Sequence, residues 1–281
     1  IFYGADGVPT NKSIISFDGT GDYLSVPNSS DFEIAASNSN SFTVELWAKL
    51  DLHDDQETFL SQSSSGASLW RFRNYHGVGI SFQVYNSGSK IIDVSGGEID
   101  DTNWHHVALV KVGNGADSTY TLYKDGTSVG TTTDADTFTV NGALGIGASY
   151  SAGDPFQGKM DQIRISDNAR YSSNFTAPTT PFTADANTLL LIQSDFSEGG
   201  LGADHSGEYN YFTPTNLTAS DMVEDSPSNN FCTVNPLTFP RQGDTTALWG
   251  KATEGNLRWT STGGSWGGHC FFGGTFSIAP N

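Results

Sequence analysis

Residues 156–192 read FQGKMDQIRISDNARYSSNFTAPTTPFTADANTLLLI. Apolar and polar residues alternate from Lys159 to Ile165, the period-2 signature of a strand with one buried face. A turn follows, Pro178 and Pro181 stiffen an extended crossing, and Leu189 to Ile192 form an apolar run that reads as a buried strand. A strand, a long extended return and a second buried strand close a β-sandwich. They tell against a catalytic α/β fold.

Upstream of this segment the chain is a procession of short strand-like runs. They are SIISFDG, DYLSVP, FTVELWAKL, TFLSQS, SLWRFRN, GISFQVYN, KIIDVSG, WHHVALVKV, STYTLYKDG, TSVGTTT, ALGIGAS and GKMDQIRIS, separated by Gly, Asn, Asp and Ser turns. Two antiparallel sheets packed face to face bury such runs most economically, so the expected fold is all-β, a jelly-roll sandwich. Asp125-Gly126 predicts a tight hairpin, since these residues adopt the positive φ angles of a type I′ turn. In FTVELWAKL, Phe42, Val44, Leu46 and Ala48 share one face and Thr43, Glu45, Trp47 and Lys49 the other, so one of the two is core.

A formal charge of −18 and a pI near 4.4 exclude a partner held by phosphate neutralisation, which needs clustered Lys and Arg; no nucleic acid is expected. Two readings of the acidity stand side by side: solubility in a salty or crowded medium, and oxygen ligands for a divalent cation. Cys232 and Cys270 are too few for a disulfide scaffold and have no zinc-site spacing, so they either pair with each other or stay free. No apolar run approaches the roughly 20 residues that span a bilayer, so no membrane insertion is expected. The first residue is Ile1 rather than Met, which predicts that the chain begins inside a longer polypeptide.

After about Ser197 the composition becomes turn-rich, and alternation returns only in ALWGKA, GNLRWTS and GTFSI. The expected division is residues 1–197 as the jelly roll and 198–281 as a linker followed by the opening strands of a second β module.

The runs SIISFDGTGDYLSVP, FTVELWAKL, TNWHHVALVK, YTLYKDGTSVG and GKMDQIRISDNARY, in that order, resemble the laminin G-like branch of the concanavalin A-like lectin/glucanase superfamily. The resemblance covers roughly residues 12–195 and implies a jelly roll of two curved sheets. ARYSSNFTAPTTPFTADANTLLLI followed by VEDSPSNNFCTVNPL is also similar in wording to virion proteins of tailed phages of aquatic bacteria. In those proteins the next piece opens a SPRY-like sandwich, as GNLRWTSTGGSWGGHCFFGGTFSI would.

The laminin G-like resemblance implies a structural Ca²⁺ on an acidic framework, here Asp18, Asp22 and Asp161. The alternative is that Asp18-Gly19 is a turn and Asp161 bonds backbone amides at a bend. His105 and His106 point to opposite faces of a strand, so they cannot simply chelate one ion; the resemblance implies that the Trp-His-His-Val run opens a core strand, with one imidazole packed inside and bonded to backbone.

Glu98-Ile99-Asp100 with Asn103 invites comparison with the E-x-D-x-x-E signature of retaining glucanases. Asn103 stands where the second Glu is needed, and an amide cannot protonate a leaving group. Gly263, Ser265 and Gly267 match G-x-S-x-G by letter, but no helix follows to make a nucleophile elbow, so no catalytic residue is assigned.

In WRFRNYH, Trp70 and Phe72 take one face and Arg71 and Arg73 the other. Arg71, Arg73, Tyr75 and His76 are therefore the candidate ligand-binding residues, able to stack on and hydrogen-bond a sugar, against the alternative of an Arg pair balancing nearby acid. The acidic stretches 51–57 and 131–138 read as solvated edges that discourage edge-to-edge pairing.

The expected function is a non-enzymatic virion structural protein, in a tail fibre or as a tail or capsid decoration, whose domain binds a host-surface glycan. Such a protein sits on the virion surface beside other virion proteins, as a homo-oligomer that amplifies weak contacts. An architectural spacer without sugar affinity and an extracellular bacterial adhesin module are the alternatives.

Overall fold

A computed structural model describes residues 13–51, 56–194, 199–223, 250–253 and 258–261. The strands in chain order are β1 (Ile14–Asp18), β2 (Tyr23–Val26), β3 (Phe42–Leu50), β4 (Gln56–Ser65), β5 (Ser68–Tyr75), β6 (Gly79–Asn86), β7 (Ser89–Gly96), β8 (Trp104–Gly113), β9 (Ser118–Lys124), β10 (Thr127–Asp134), β11 (Ala143–Ile146), β12 (Gln157–Ser166), β13 (Thr188–Ile192), β14 (Thr213–Thr215), β15 (Met222–Val223), β16 (Gly250–Thr253) and β17 (Arg258–Ser261). An eight-stranded sheet runs β10, β9, β8, β3, β12, β1, β15, with β13 also paired to β12; a seven-stranded sheet runs β14, β2, β11, β4, β5, β6, β7. The all-β sandwich of two antiparallel sheets read from the sequence is the fold.

Phe42, Val44, Leu46 and Ala48 of β3 enter the core between the sheets, with Phe17, Phe59, Trp70, Phe72, Phe82, Tyr120 and Phe156. Each such fully buried large apolar side chain stabilises the fold by about 1.5–3 kcal/mol relative to exposure. The aromatic rings interlock edge to face, as Phe59 does with Phe72 at 5.4 Å and Phe17 with Phe156 at 5.7 Å.

The Asp125-Gly126 hairpin forms as expected, with φ of 51° and 76°. A Cβ at position 126 would also collide with the Phe175 carbonyl, so glycine there lets the later crossing pass close by.

The alternation read through Lys159–Ile165 is interrupted. Between Asp161 and Arg164 the register on β3 shifts by a β-bulge, with Gln162 at φ 52°. Asp161 Oδ1 accepts from the Gln162 amide at 2.7 Å, which stabilises the bulge and lets Met160, Ile163 and Ile165 all face the core.

The other face of β3 is buried as well, against the expectation that only one is core. Residues 167–187 cross over it and bring Tyr171 and Phe175 onto Ala108, Val110 and Tyr123 in a second small core. Beneath this crossing lies Glu45, fully buried. Its Oε1 accepts from Arg164 Nε at 2.9 Å and Nη2 at 2.7 Å, and its Oε2 accepts from Tyr171 Oη at 2.7 Å. His106 Nε2 lies 3.2 Å from the same oxygen. The buried imidazole thus has a carboxylate partner rather than the expected backbone one, because β3 places Glu45 beside β8. Burial alone would push the Glu45 carboxyl up, but its contacts to His106, Arg164 and Tyr171 hold it below the ordinary value.

Residues 199–223, within the stretch expected as linker, belong to the sandwich. β14 pairs with β2 and β15 with β1, so one compact unit runs to Pro227 and a second spans Ser228–Asn281. In the second unit β16 and β17 form an antiparallel hairpin. The expected SPRY-like opening beyond that hairpin, the G-x-S-x-G letters, Cys232, Cys270 and the acidic residues 52–55 lie outside the described residues. The stretch 131–138 is largely exposed and begins on edge strand β10, as a solvated edge should be. Among the described residues no helix is long and apolar enough to cross a membrane.

Removing one partner of a buried ion pair costs about 3–5 kcal/mol, whereas an exposed pair is worth about 0–1 kcal/mol. Glu45→Ala should therefore lower the denaturation midpoint far more than Asp51→Ala, whose Lys159 partner is at the surface. Equal midpoints in urea titrations of the two variants would contradict the role given to Glu45.

His105 supplies a pH signature. Burial lowers its pKa, but its hydrogen bonds to Asp125 at 2.7 Å and Asp101 at 3.0 Å outweigh that and leave it above 6.5. A raised histidine pKa contributes stability that is full below about pH 6.5 and is lost as pH rises through the folded value. Thermal unfolding of wild type and His105→Gln across this range should show a steeper decline for the wild type; parallel profiles would refute the assignment.

Candidate functional site

The crossing packs on β8 and β9 of the eight-stranded sheet, and the loop before β12 lies over part of the outer face of the seven-stranded sheet, whose polar residues are the other candidates for a site. Register alone builds its chemistry. Thr213 pairs with Ser25, Ser25 with Gly145, Gly145 with Ser61, Ser61 with Arg71, Arg71 with Gln83, and Gln83 with Asp93. Paired residues share a face, so one residue from each strand contributes to a polar row running across all seven. The flanking Leu24, Leu60, Trp70, Phe72, Phe82 and Val84 point inward.

Arg71 is the centre of the charged end. Its Nε donates to Gln83 Oε1 at 3.1 Å, its Nη1 meets Asp154 Oδ2 at 3.2 Å, and its guanidinium lies over the Tyr85 ring at 5.2 Å. Gln83 in turn donates to Asp93 at 3.0 Å. The Arg71 side chain keeps 18% exposure, so a planar cation is presented on the face in a fixed orientation.

Arg73 does not share this position. It is buried, its guanidinium bonded to Asp154, Gln56 and Gln83 and stacked 4.5 Å over Tyr75. Burial lowers its pKa, and the neighbouring Arg71 charge adds to the drop. The expectation that both arginines face a ligand is corrected: Asp154, carried over the sheet by the loop before β12, covers Arg73. Tyr75 is half-buried beneath it. His76 sits in the turn after β5, exposed, with Nδ1 2.9 Å from Glu98 Oε1, so it belongs to the loop edge rather than to the Arg71 row.

Beside Arg71 the row becomes a trough of about 200 Å³ walled by Ser25, Ser61, Ser63 and Gly145 and by the 148–152 segment. That wall and its continuation hold Ser151, Ala152 and Asp154 at positive φ (56°, 60° and 46°). Such conformations cost of order 1–3 kcal/mol each and cluster at functional sites. A larger cleft of about 570 Å³ lies elsewhere, beside Asp31, Glu33 and Asp167.

The three aspartates expected to hold calcium are not brought together. Asp18 pairs opposite Gln157, which leaves Asp161 four residues further along β12, about 13 Å away. Asp18 Oδ1 accepts from the Thr20 amide at 2.6 Å, and Asp22 Oδ2 from the Asp18 amide at 2.9 Å, which is turn chemistry. Burial pushes the Asp22 carboxyl up against the pull of that amide, and the Asp18 and Asp221 charges add to the rise. Among the described residues no three His, Cys, Asp or Glu side chains form a metal-holding group.

Glu98 and Asp100 fall in the loop between β7 and β8, where Glu98 Oε1 also accepts from the Gly77 amide at 2.9 Å. Gln83, Tyr85, Asp93 and Asp154 escaped the sequence reading. The first three were accessible in principle from alternation along β6 and β7; Asp154 sits on an irregular loop with no periodic signal.

A family model described as the concanavalin A-like lectin/glucanases superfamily matches residues 18–174, more than half of the chain. The chain belongs to that superfamily, in its laminin G-like branch. No curated protein matches the sequence. Similar solved structures include a heptameric SAP-like pentraxin from Limulus polyphemus, at 16% identity, 66% of this chain, 92% of that chain and a TM-score of 0.43. The CBM40 of the Ruminococcus gnavus IT-sialidase bound to α2,3-sialyllactose follows at 15% identity, 58%, 92% and 0.44. Domains LG4–5 of the mouse laminin α1 chain give 17%, 60%, 47% and 0.42.

The two arginines should separate by experiment. Arg73→Ala leaves buried polar partners unmatched, a loss of about 1–3 kcal/mol, whereas Arg71→Ala removes a partly exposed contact worth less. Chemical denaturation of both variants decides it, and an Arg71→Ala protein as unstable as Arg73→Ala would go against this placement.

Proposed function

We propose that this chain is a non-enzymatic carbohydrate-recognition protein, displayed on a virion surface, whose sandwich attaches to a glycan of the host envelope. The observation that carries the reading is the polar row on the outer face of the seven-stranded sheet, along which Ser25, Arg71, Tyr85 and Asp93 keep solvent exposure. It offers an oriented guanidinium, a tyrosine ring, an amide and a serine-floored trough, the mixture of flat faces and directed donors that a sugar needs. Membership of a lectin-containing superfamily supports the same conclusion.

The non-catalytic part of the reading is supported by Asn103 in the place of a general acid and by the engagement of Glu98 with His76 and Gly77. The virion setting is supported by the wording of residues 169–192 and 223–237. In such a setting many copies act together, and weak single-site affinity is raised by multivalency.

The test is an array of bacterial envelope polysaccharides probed with residues 1–281, once with calcium and once with chelator. Binding by wild type, reduced at least about tenfold by Arg71→Ala, is expected. Binding lost only with chelator would bring a calcium ion into the site. Silence across the array under both conditions would overturn the proposal in favour of an architectural subunit.

A further inference from the structure

At the β14 edge of the seven-stranded sheet, two aromatic rings stand in solvent. Tyr209 is 73% and Tyr211 57% exposed, with ring centroids 6.2 Å apart and planes inclined at 54°. Among the described residues the other exposed large apolar side chains, Val78 at 46% and Val112 at 43%, lie on another turn and another strand. The pair is an isolated aromatic spot in a polar neighbourhood.

The local structure holds it there. Asn210, between the rings, is buried; its amide donates to Asp204 Oδ2 at 2.8 Å and its side chain to Asp31 Oδ2 at 2.9 Å. Asp204 is itself buried and accepts from the Leu191 amide at 3.0 Å, tying the loop to β13. Phe212 enters the core. Exposure therefore alternates from Tyr209 through Thr213, and Tyr211 emerges on the side of Thr213, the end of the polar row. Tyr209 has φ 62°, a conformation a bulky aromatic rarely adopts. A strained backbone and a buried asparagine anchored at two points keep both rings out of the core.

We infer that Tyr209 and Tyr211 form a second, aromatic subsite for a saccharide chain that crosses the strands from Arg71. The inference rests on the carbohydrate-recognition reading and extends it to residues beyond the 18–174 family match. Four inter-strand steps separate β5 from β14, about 19 Å, with the serine-floored trough between them. A polysaccharide, rather than a mono- or disaccharide, fills that span. Two tyrosines fall far short of the roughly 1,000 Å² that a stable protein interface needs, but each offers a sugar ring a flat face and a hydroxyl.

The experiment takes the envelope polysaccharide that binds best on the array, together with its partial hydrolysate sorted by length. Dissociation constants are measured for wild type, Arg71→Ala and the double variant Tyr209→Ala/Tyr211→Ala. The double variant should weaken binding of fragments longer than about 19 Å roughly tenfold and leave shorter ones unchanged, whereas Arg71→Ala weakens both.

Unchanged affinity of the double variant for long fragments overturns the subsite alone, as does equal weakening for short and long ones. A shift in oligomeric state of the double variant, read by sedimentation, would make the pair a contact between copies and overturn it too. A wild type that binds no saccharide overturns the recognition reading itself. Because both rings are exposed, the thermal midpoint serves as the folding control and should not move.

Discussion

Glu45 is the buried charge on which the packing of the chain's return depends. A carboxylate with no solvent exposure is tolerated only when its charge and lone pairs are answered, and Arg164, Tyr171 and His106 answer them from β12, the crossing and β8. Arg164 in turn lies 4.0 Å over Phe182, and Thr43 accepts from the Arg170 amide at 2.9 Å, so the return of the chain is fastened at successive points. The outer face around β3 and β8 is thereby spent on packing. The polar outer residues of the opposite sheet take no part in this fastening.

The outer face of the seven-stranded sheet is of another character. A sheet with one side on the core and the other in water alternates apolar with polar residues, and here the polar set is made of short hydroxyls and amides around one oriented cation. Arg71 is not floating at the surface. Gln83, Asp154 and Tyr85 fix its plane, which lowers the entropy lost when it pairs with another group. The strained loop carrying Asp154 contributes that orientation and at the same time covers Arg73, so a single acidic residue orients one arginine and buries the other.

The architecture was legible in the sequence because alternation and turn residues act locally: every strand run from Ser13 to Ser166 became a strand, and Asp125-Gly126 became the expected turn. Features depending on distant segments were not. Nothing in FTVELWAKL announces that residues 120 positions later will cover its second face, and the polar look of Glu45 and Thr43 argued for solvent. Asp161-Gln162 read as ordinary alternation, since a bulge is set by pairing with β3 rather than by its own two residues. The edge strands β14 and β15 are too short to carry a periodic signal, which is why the turn-rich stretch after Ser197 read as linker. Of the site, the Arg71 orientation followed from alternation, while Asp154 and the tyrosine pair depend on loops whose course only the folded chain defines.

Those two edge strands have a mechanical side. β14 contributes three residues and β15 two, and they are the last strands of this unit, one on each sheet. A pull on the chain beyond them is borne by a handful of hydrogen bonds at each edge, loaded one after another, whereas β3, β8 and β12 further into the sheet share their load across nine to ten residues. The unit is therefore built to yield first at its C-terminal seam, letting out slack while the sandwich stays whole. A domain tethered by this end and gripped through its polar row would meet a sudden load as a yielding link.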